Sequence, residues 1–416
     1  MNGRGRAPVL PGAVGAPCVA WACTARSLAS GYTRHREAPM TAVALAYDAS
    51  LDAYGFGSSH PLRPERVALS VALMGAYGLA SPSHLEPIAI GPAGREDLER
   101  VHHADYIDAV IGCSRDGAPA PGFGIGPGDT PAFVGMHDAS ARIAGATSAA
   151  VVSVCDGRYR RALSPAGGLH HAHRERAAGF CVYNDVAVGI AAALAKDPTL
   201  RVAYIDIDAH HGDGVQEAFY EEPRVLTISL HEDGRYLYPG TGSYRERGSE
   251  PAPGSALNVP MPPYATDECY ALALQKAVLP AVRAFGPDII VTQNGADAHW
   301  SDPLTSLGRT IPGYESTFGT LISLADEICE GRIVACGGGG YSWLTVVPRI
   351  WTLLAGSLLD VGVPELLPTA WTERVRVLGG SVPGSLREDD GPALDDATRA
   401  LVLHDTRHVL ARIAAL

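Results

Sequence analysis

Short apolar runs alternate with longer amphipathic stretches from Met40 onward. TAVALAYD (41–48) reads as a first strand. RVAYIDID (201–208), RVLTISL (224–230), DIIVTQNGAD (288–297) and RIVACGGGG (332–340) read as further buried strands. Between them, Asp185 to Leu194 and Tyr270 to Phe285 carry helical periodicity. Such alternation predicts an α/β fold, a central mostly parallel sheet with helices on both faces. Each of these strands runs into polar, Gly-rich sequence. Ligands bind at the carboxyl ends of strands in sheets of this kind, so that convergence is the first functional clue. No internal repeat and no linker interrupts 40–385, which reads as one catalytic domain. The segment 386–416 opens acidic (Glu388, Asp389, Asp390). It ends as a helix with apolar positions at Leu401, Leu403, Val409 and Leu410, expected to pack on the same domain.

Composition narrows the function classes. Hydrophobic types make up 46% of the 416 residues and charged types 19%, too apolar for a disordered protein. No apolar run reaches the ~20 residues of a membrane-spanning helix. The net charge is −12, with no basic stripe, which argues against nucleic acid as a partner. Eight cysteines at irregular spacing without a CxxC pair argue against a disulfide framework or a structural zinc cluster, and fit a reducing cytoplasm. Residues 1–39 differ from the rest. Arg4 and Arg6 precede a mildly apolar stretch, Ala7 to Ala22, which superficially suggests a signal peptide. Pro8, Pro11, Gly12, Gly15 and Pro17 break it repeatedly. We therefore read 1–39 as a disordered extension and Met40 as the natural start.

Four clusters carry the chemistry. The densest is Asp206-Ile-Asp208-Ala-His210-His211-Gly-Asp213 at a strand end. Residues two apart in a strand share a side, so Asp206, Asp208 and His210 would face one way if the strand continued. Carboxylate and imidazole on one side suit a divalent transition ion. The competing reading is a polar strand-to-helix turn with an Asp cap. The second cluster, Gly167-Gly168-Leu169-His170-His171-Ala-His173, presents imidazoles suited to acid–base work, or else is a His-rich surface loop. The third is Asn294-Gly295-Ala296-Asp297-Ala-His299-Trp-Ser-Asp302-Pro303-Leu304. Asp297 would complete a two-carboxylate, one-imidazole site with an open position. His299 and Asp302 would be supporting or surface groups. The fourth, Gly337-Gly338-Gly339-Gly340-Tyr341, could aim a tyrosine hydroxyl at an oxyanion. It lacks the Lys-Ser/Thr of a P-loop.

Together these stretches resemble the arginase–deacetylase superfamily, and within it the zinc-dependent histone deacetylase-like proteins. The matching segments are HPLRPERV (60–67), GGLHHAHRERAAGFCVYND (167–185), IDIDAHHGDG (205–214), TISLH (227–231), YPGTG (238–242), GADAHWSDPL (295–304) and GGGGY (337–341). They run in family order over roughly 45–355. NGADAH…DPL and the later VVPRIWTLLAG (346–356) are most similar to the bacterial acetoin-utilisation deacetylases.

The resemblance implies a role for each position. Asp208, His210 and Asp297 would bind one catalytic zinc, with iron(II) as the alternative ion. His170 and His171 would be the paired active-site histidines, held by Asp206 and Asp213. Tyr341 would polarise the acetyl carbonyl. Gly179, Phe180, Tyr238 and Gly339 would line the acyl-lysine channel, with Leu304 near its rim. The family usually has Phe where Tyr238 stands, so this channel is slightly more polar. Arg66 would lie deep in the acetate exit. Asp206, Asp208, His210, Ser229 and Leu230 would hold a structural potassium ion, mostly through backbone carbonyls. The family also carries an acid that grips the substrate backbone. In the loop 114–131 neither Asp116 nor Asp129 is an obvious match. The implied activity is zinc-dependent hydrolysis of acetyl-lysine in a protein, such as an acyl-CoA synthetase, in the cytoplasm and away from membranes. The alternatives are a small-molecule deacetylase, such as an acetylpolyamine amidohydrolase, and a non-catalytic acyl-lysine binding protein. The oligomeric state is left open.

Overall fold

The computed structural model describes residues 43–387 and 390–416. The expected extension 1–39, its boundary at Met40, and Glu388 and Asp389 lie outside the described residues. Eight strands build one sheet: β1 (Val43–Leu45), β2 (Leu85–Pro87), β3 (Arg161–Ser164), β4 (Val202–Asp206), β5 (Val225–Glu232), β6 (Ala256–Met261), β7 (Ile289–Gln293) and β8 (Ile333–Cys336). Their order is β2-β1-β3-β8-β7-β4-β5-β6, and every pairing is parallel. β4, β5, β7 and β8 are buried along their whole length. That is why they read as continuous apolar runs rather than alternating ones. Helices cover both faces. Met136–Cys155 packs with Asp185–Lys196 and crosses β1, β3, β7 and β8, whereas Val346–Leu358 packs with Glu65–Ala76 and Ile311–Ile328.

Three sequence expectations change in detail. The strand expected over 201–208 ends at Asp206. Beyond it, the backbone N–H groups of Asp208 and Ala209 turn onto the carboxylates of Asp206 (3.0 Å) and Asp297 (2.9 Å) instead of a neighbouring strand. Side-chain acceptors thus replace the ladder and bend the chain. The helix expected over Tyr270–Phe285 is three pieces: Asp267–Ala273, a wide turn Leu274–Val278, and Leu279–Phe285. Pro280 lacks an N–H and crowds the carbonyl four residues back, and the wider π turn absorbs that defect. The C-terminal helix, Asp396–Ala414, lies against Asp267–Ala273 and β6. Its buried face is Val402, Thr406 and Leu410, spaced by four, while Leu401 is 60% exposed.

Parallel strands deliver all their carboxyl ends to one edge. There, five neighbouring strands, β3-β8-β7-β4-β5, release in turn the loops carrying His170 and His171, Tyr341, Asp297, His210 and Tyr238.

Candidate active site

The loop after β3 is shaped by buried acceptors. The Asp185 carboxylate accepts from the backbone N–H of Gly168 (3.0 Å) and Leu169 (2.7 Å) and from the Thr147 hydroxyl (2.5 Å). Asn184 caps the helix that follows through Ala187 N, and its amide donates to the carbonyls of His170 and Ala172. His170 and His171 are thereby fixed in the interior, with their Nε2 atoms 3.1 Å apart.

Each imidazole has its own carboxylate. His170 Nδ1 lies 2.8 Å from Asp206, which also accepts from the Tyr204 hydroxyl. His171 Nδ1 lies 2.7 Å from Asp213. Burial lowers the proton affinity of His170, but the charges of Asp206 and Asp208 outweigh it and raise its pKa to about 9. For His171, burial and then the charged His170 beside it act together, and its pKa falls to about 4. Two adjacent imidazoles are therefore split into a cationic partner and a neutral one, the arrangement of an electrostatic stabiliser beside a base.

Next to this pair, Asp208, His210 and Asp297 offer ligand atoms within 4.8 Å of one another, all buried. His210 Nδ1 sits 3.0 Å from Asp297 and 3.2 Å from Asp208. Burial and the charge of Asp208 push Asp297 up. Burial opposes ionisation of Asp208 too, but the charges of His170 and His210 hold it well below the usual range. Two buried carboxylates facing one imidazole repel each other, and a divalent cation relieves that repulsion. The donor set fits a metal ion. Asp206 stands outside it, because its oxygens are taken by His170, Tyr204 and the Asp208 N–H. His299 and Asp302 stand outside it as well. His299 pairs with the Ser301 hydroxyl, and Asp302 accepts from the backbone of Tyr341 (2.8 Å) and Leu304 (3.0 Å).

The cavity is lined by His170, His171, Asp208 and His210 together with Gly179, Gly339, Tyr341 and Arg66. Gly179 and Phe180 both have left-handed backbones, with φ of 53° and 66°. A Cβ on Gly179 would fall 2.2 Å from His171 Cδ2. Gly339 donates its N–H to Asp208 at 2.6 Å, and a Cβ there would meet Asp297 Oδ2 at 1.9 Å. The Phe180 ring stacks edge-on against Tyr341, and Tyr238 edge-on against His171. Leu304, expected at the rim, is 37% exposed and is not among the residues that line the cavity. Arg66 is buried over the Trp351 ring and donates to the Gly340 carbonyl at 3.2 Å. Burial raises the Tyr341 phenol well above its ordinary pKa, so it is kept as a donor. Ser229 is the register partner of Asp206, and Leu230 follows it in β5, while Asp208 and His210 lie past the end of β4.

Some supports were not singled out in the sequence. The Tyr54 hydroxyl braces the channel wall, donating to the Phe180 carbonyl (2.6 Å) and accepting from Val182 N (3.1 Å). Gln293 donates to the Gly168 carbonyl at 2.7 Å. Asn184 and Asp185 end the stretch 167–185. A capping pair directly before an apolar helix was the available signal there. Asp129, no obvious match in the sequence, accepts from Gly179 N at 2.6 Å, which sets an exposed carboxylate beside a residue that lines the cavity. Asp116 only closes its own turn onto Ala118 N.

An eight-stranded parallel sheet with this site along its carboxyl edge defines an α/β protein of the arginase–deacetylase fold. Residues 60–358 match the histone deacetylase domain, and the chain belongs to that family. It is 40% identical to the acetoin utilization protein AcuC of Bacillus subtilis over 328 residues, covering 78% of this chain and 84% of that one. It is 37% identical to AcuC of Staphylococcus aureus strain MSSA476, covering 80% and 85%. Among solved structures, an HDAC homolog complexed with SAHA aligns with a TM-score of 0.76 at 31% identity, covering 88% of this chain and 99% of that one. An HDAC homolog from Aquifex aeolicus aligns equally well at 30% identity. No helix among the described residues is long and apolar enough to cross a membrane.

Proposed function

We propose that this chain is a metal-dependent lysine deacetylase that hydrolyses the acetamide of acetyl-lysine in a protein, releasing acetate. The observation that carries the reading is the meeting of two His–carboxylate dyads, a buried Asp–His–Asp donor set and Tyr341 on one cavity. Asp208, His210 and Asp297 would hold zinc, or iron(II). Bound there, such an ion polarises an amide carbonyl and acidifies water towards a pKa of ~7. His171, neutral and oriented by Asp213, takes the proton of the attacking water at Nε2 and later returns it to the leaving amine. His170, held by Asp206, contributes positive charge. Tyr341 donates to the developing oxyanion. Phe180 and Tyr238 flank the extended lysine stem, Gly179 and Gly339 leave room for it, and Leu304 meets it at the rim. Arg66 serves the acetate exit, and Asp129 accepts from the substrate backbone. A potassium ion in the corner formed by Asp206, Asp208, His210, Ser229 and Leu230 completes the proposal. The setting is cytoplasmic, the domain spans 40–385 with 386–416 packed on it, and an acetylated acyl-CoA synthetase fits as substrate.

The test is an assay of zinc-loaded protein on an acetyl-lysine peptide and an acetylpolyamine side by side. Turnover of the peptide at the higher kcat/KM supports the reading. Preference for the polyamine moves it to a small-molecule deacetylase, and inactivity on both at full zinc occupancy overturns it.

A further inference from the structure

The dyad His171–Asp213 does not end at Asp213. Asp213 Oδ1 faces His171, while its Oδ2 lies 3.2 Å from His173 Nε2, at ion-pair distance but off the line of a hydrogen bond. The other nitrogen of His173, Nδ1, is 2.8 Å from Glu217 Oε2. Asp213 and Glu217 both come from the helix Asp213–Phe219, so His173 bridges two carboxylates one helical turn apart. Its side chain is 11% exposed and Glu217 is 44% exposed, so the chain of groups runs from the buried base to solvent.

Simple hydrogen counting defines the state of His173. A neutral imidazole has one N–H and one lone pair. Facing two carboxylates, it would turn that lone pair onto one of them. Only the imidazolium presents an N–H to both. Among the described residues, the neighbouring polar groups turn elsewhere. His102 donates Nδ1 to the His173 carbonyl, and the Arg174 guanidinium turns to the Ala218 carbonyl. His103 pairs with Glu175, and Arg176 meets His173 through its backbone carbonyl.

We propose that His173 is a positioning residue for the reaction: held as an imidazolium between Glu217 and Asp213, it fixes the carboxylate that orients His171. This rests on the deacetylase reading and extends it to a third member of the dyad. Burial opposes the charge, but the contacts with the Asp213 and Glu217 carboxylates outweigh burial and raise the His173 pKa to about 9. The imidazolium therefore persists through neutrality. When it loses its proton, Asp213 is left against a lone pair and turns, and His171 loses its aim.

The experiment compares wild type, His173→Gln and His173→Lys, zinc-loaded, on an acetyl-lysine peptide across pH. Wild-type kcat should fall on the alkaline side near pH 9. His173→Gln should lower kcat about tenfold, with KM within about twofold, and make that alkaline fall shallower, leaving only the part that His170 sets. His173→Lys keeps a cation between the carboxylates. It should restore kcat and move the His173 share of the fall upward by about one pH unit, the His170 share staying in place. Unchanged kcat and alkaline limb in His173→Gln, or no recovery in His173→Lys, overturns the proposal. A second reading needs no activity. In 15N-histidine spectra of zinc-loaded and zinc-free protein, the His173 signal, identified by its absence from His173→Lys, should remain that of an imidazolium at pH 7. A neutral His173 there overturns the proposal whether or not the peptide is turned over, whereas an inactive wild type with a charged His173 counts against the deacetylase reading alone.

Discussion

At the scale of single residues, the site works by placing groups where their ordinary chemistry is shifted. Tyr341 is kept protonated by burial, and its backbone N–H is fixed by Asp302 at 2.8 Å. Tyr341→Phe should retain metal and fold but lower kcat by about 10²–10³, the usual cost of losing one oxyanion donor. Metal content by absorption spectrometry together with kcat checks this, and unchanged turnover removes Tyr341 from the chemistry. Gly179 is constrained twice, by its left-handed φ of 53° and by the 2.2 Å approach its Cβ would make to His171. Gly179→Ala should therefore cost about 1–3 kcal/mol of stability through strain, measured by denaturant unfolding, and most of the activity. Glycines and histidines of this kind stand out in the sequence, because neither type gathers in such density without a reason. Asp129 does not stand out. Its role depends on the Gly179 N–H, fifty positions away in the chain, and an isolated Asp in a Gly-Pro loop looks like any turn residue.

At the scale of elements, buried polar groups tie the loops after β3, β8, β7 and β4 to their neighbours and to one another. His102 is one such tie. Its Nδ1 donates to the His173 carbonyl at 2.8 Å, and its Nε2 accepts from Asn184 N at 3.0 Å. Protonation would set a new N–H against the Asn184 N–H. Burial lowers the His102 pKa from 6.5 to about 4 in the folded protein. The unfolded chain thus takes up a proton that the folded one refuses. Stability is intact above about pH 6.5 and is lost as pH falls from there towards 4. His102→Gln, which cannot titrate, should remove on the order of 2 kcal/mol of that acid sensitivity, read from urea midpoints at pH 7 and pH 4.5. An unchanged pH dependence in the variant would exclude His102 as its source. Element boundaries were less legible than element types. Long buried strands show as apolar runs, but β2 and β3, of three and four residues, are too short to carry a period. The end of β4 could not be read locally either, since acceptors on Asp206 and on the distant Asp297 decide it.

At the scale of the whole molecule, one charged centre couples the loops. Asp208 follows β4, Asp297 follows β7, and Gly339 follows β8 to donate to Asp208. A metal ion bound by the Asp–His–Asp set would link these segments and stabilise the fold by mass action, by about 3–4 kcal/mol at a hundred- to thousandfold excess over its Kd. Removal of metal with a chelator should therefore lower Tm by several degrees and abolish turnover, with both restored by zinc. Differential scanning calorimetry of Asp297→Ala, which should show the lower Tm and no response to zinc, tests the same coupling. A chelator-insensitive Tm in the wild-type protein would place the metal elsewhere.

The sequence alone determined the class of fold, the edge of the sheet that carries the site, and most of the groups on it. Strand and helix periods, and the chemistry of clustered Asp, His and Gly, are local properties of the chain. Only the tertiary structure decided which groups face which. It brought Asp129 beside Gly179, made Leu401 a solvent-facing residue, and joined His173 to Asp213 and Glu217. Each of these depends on where a side chain's lone pairs and N–H groups find partners across the fold. No spacing along the chain encodes that pairing, because it is settled only when buried polar groups compete for the same few acceptors.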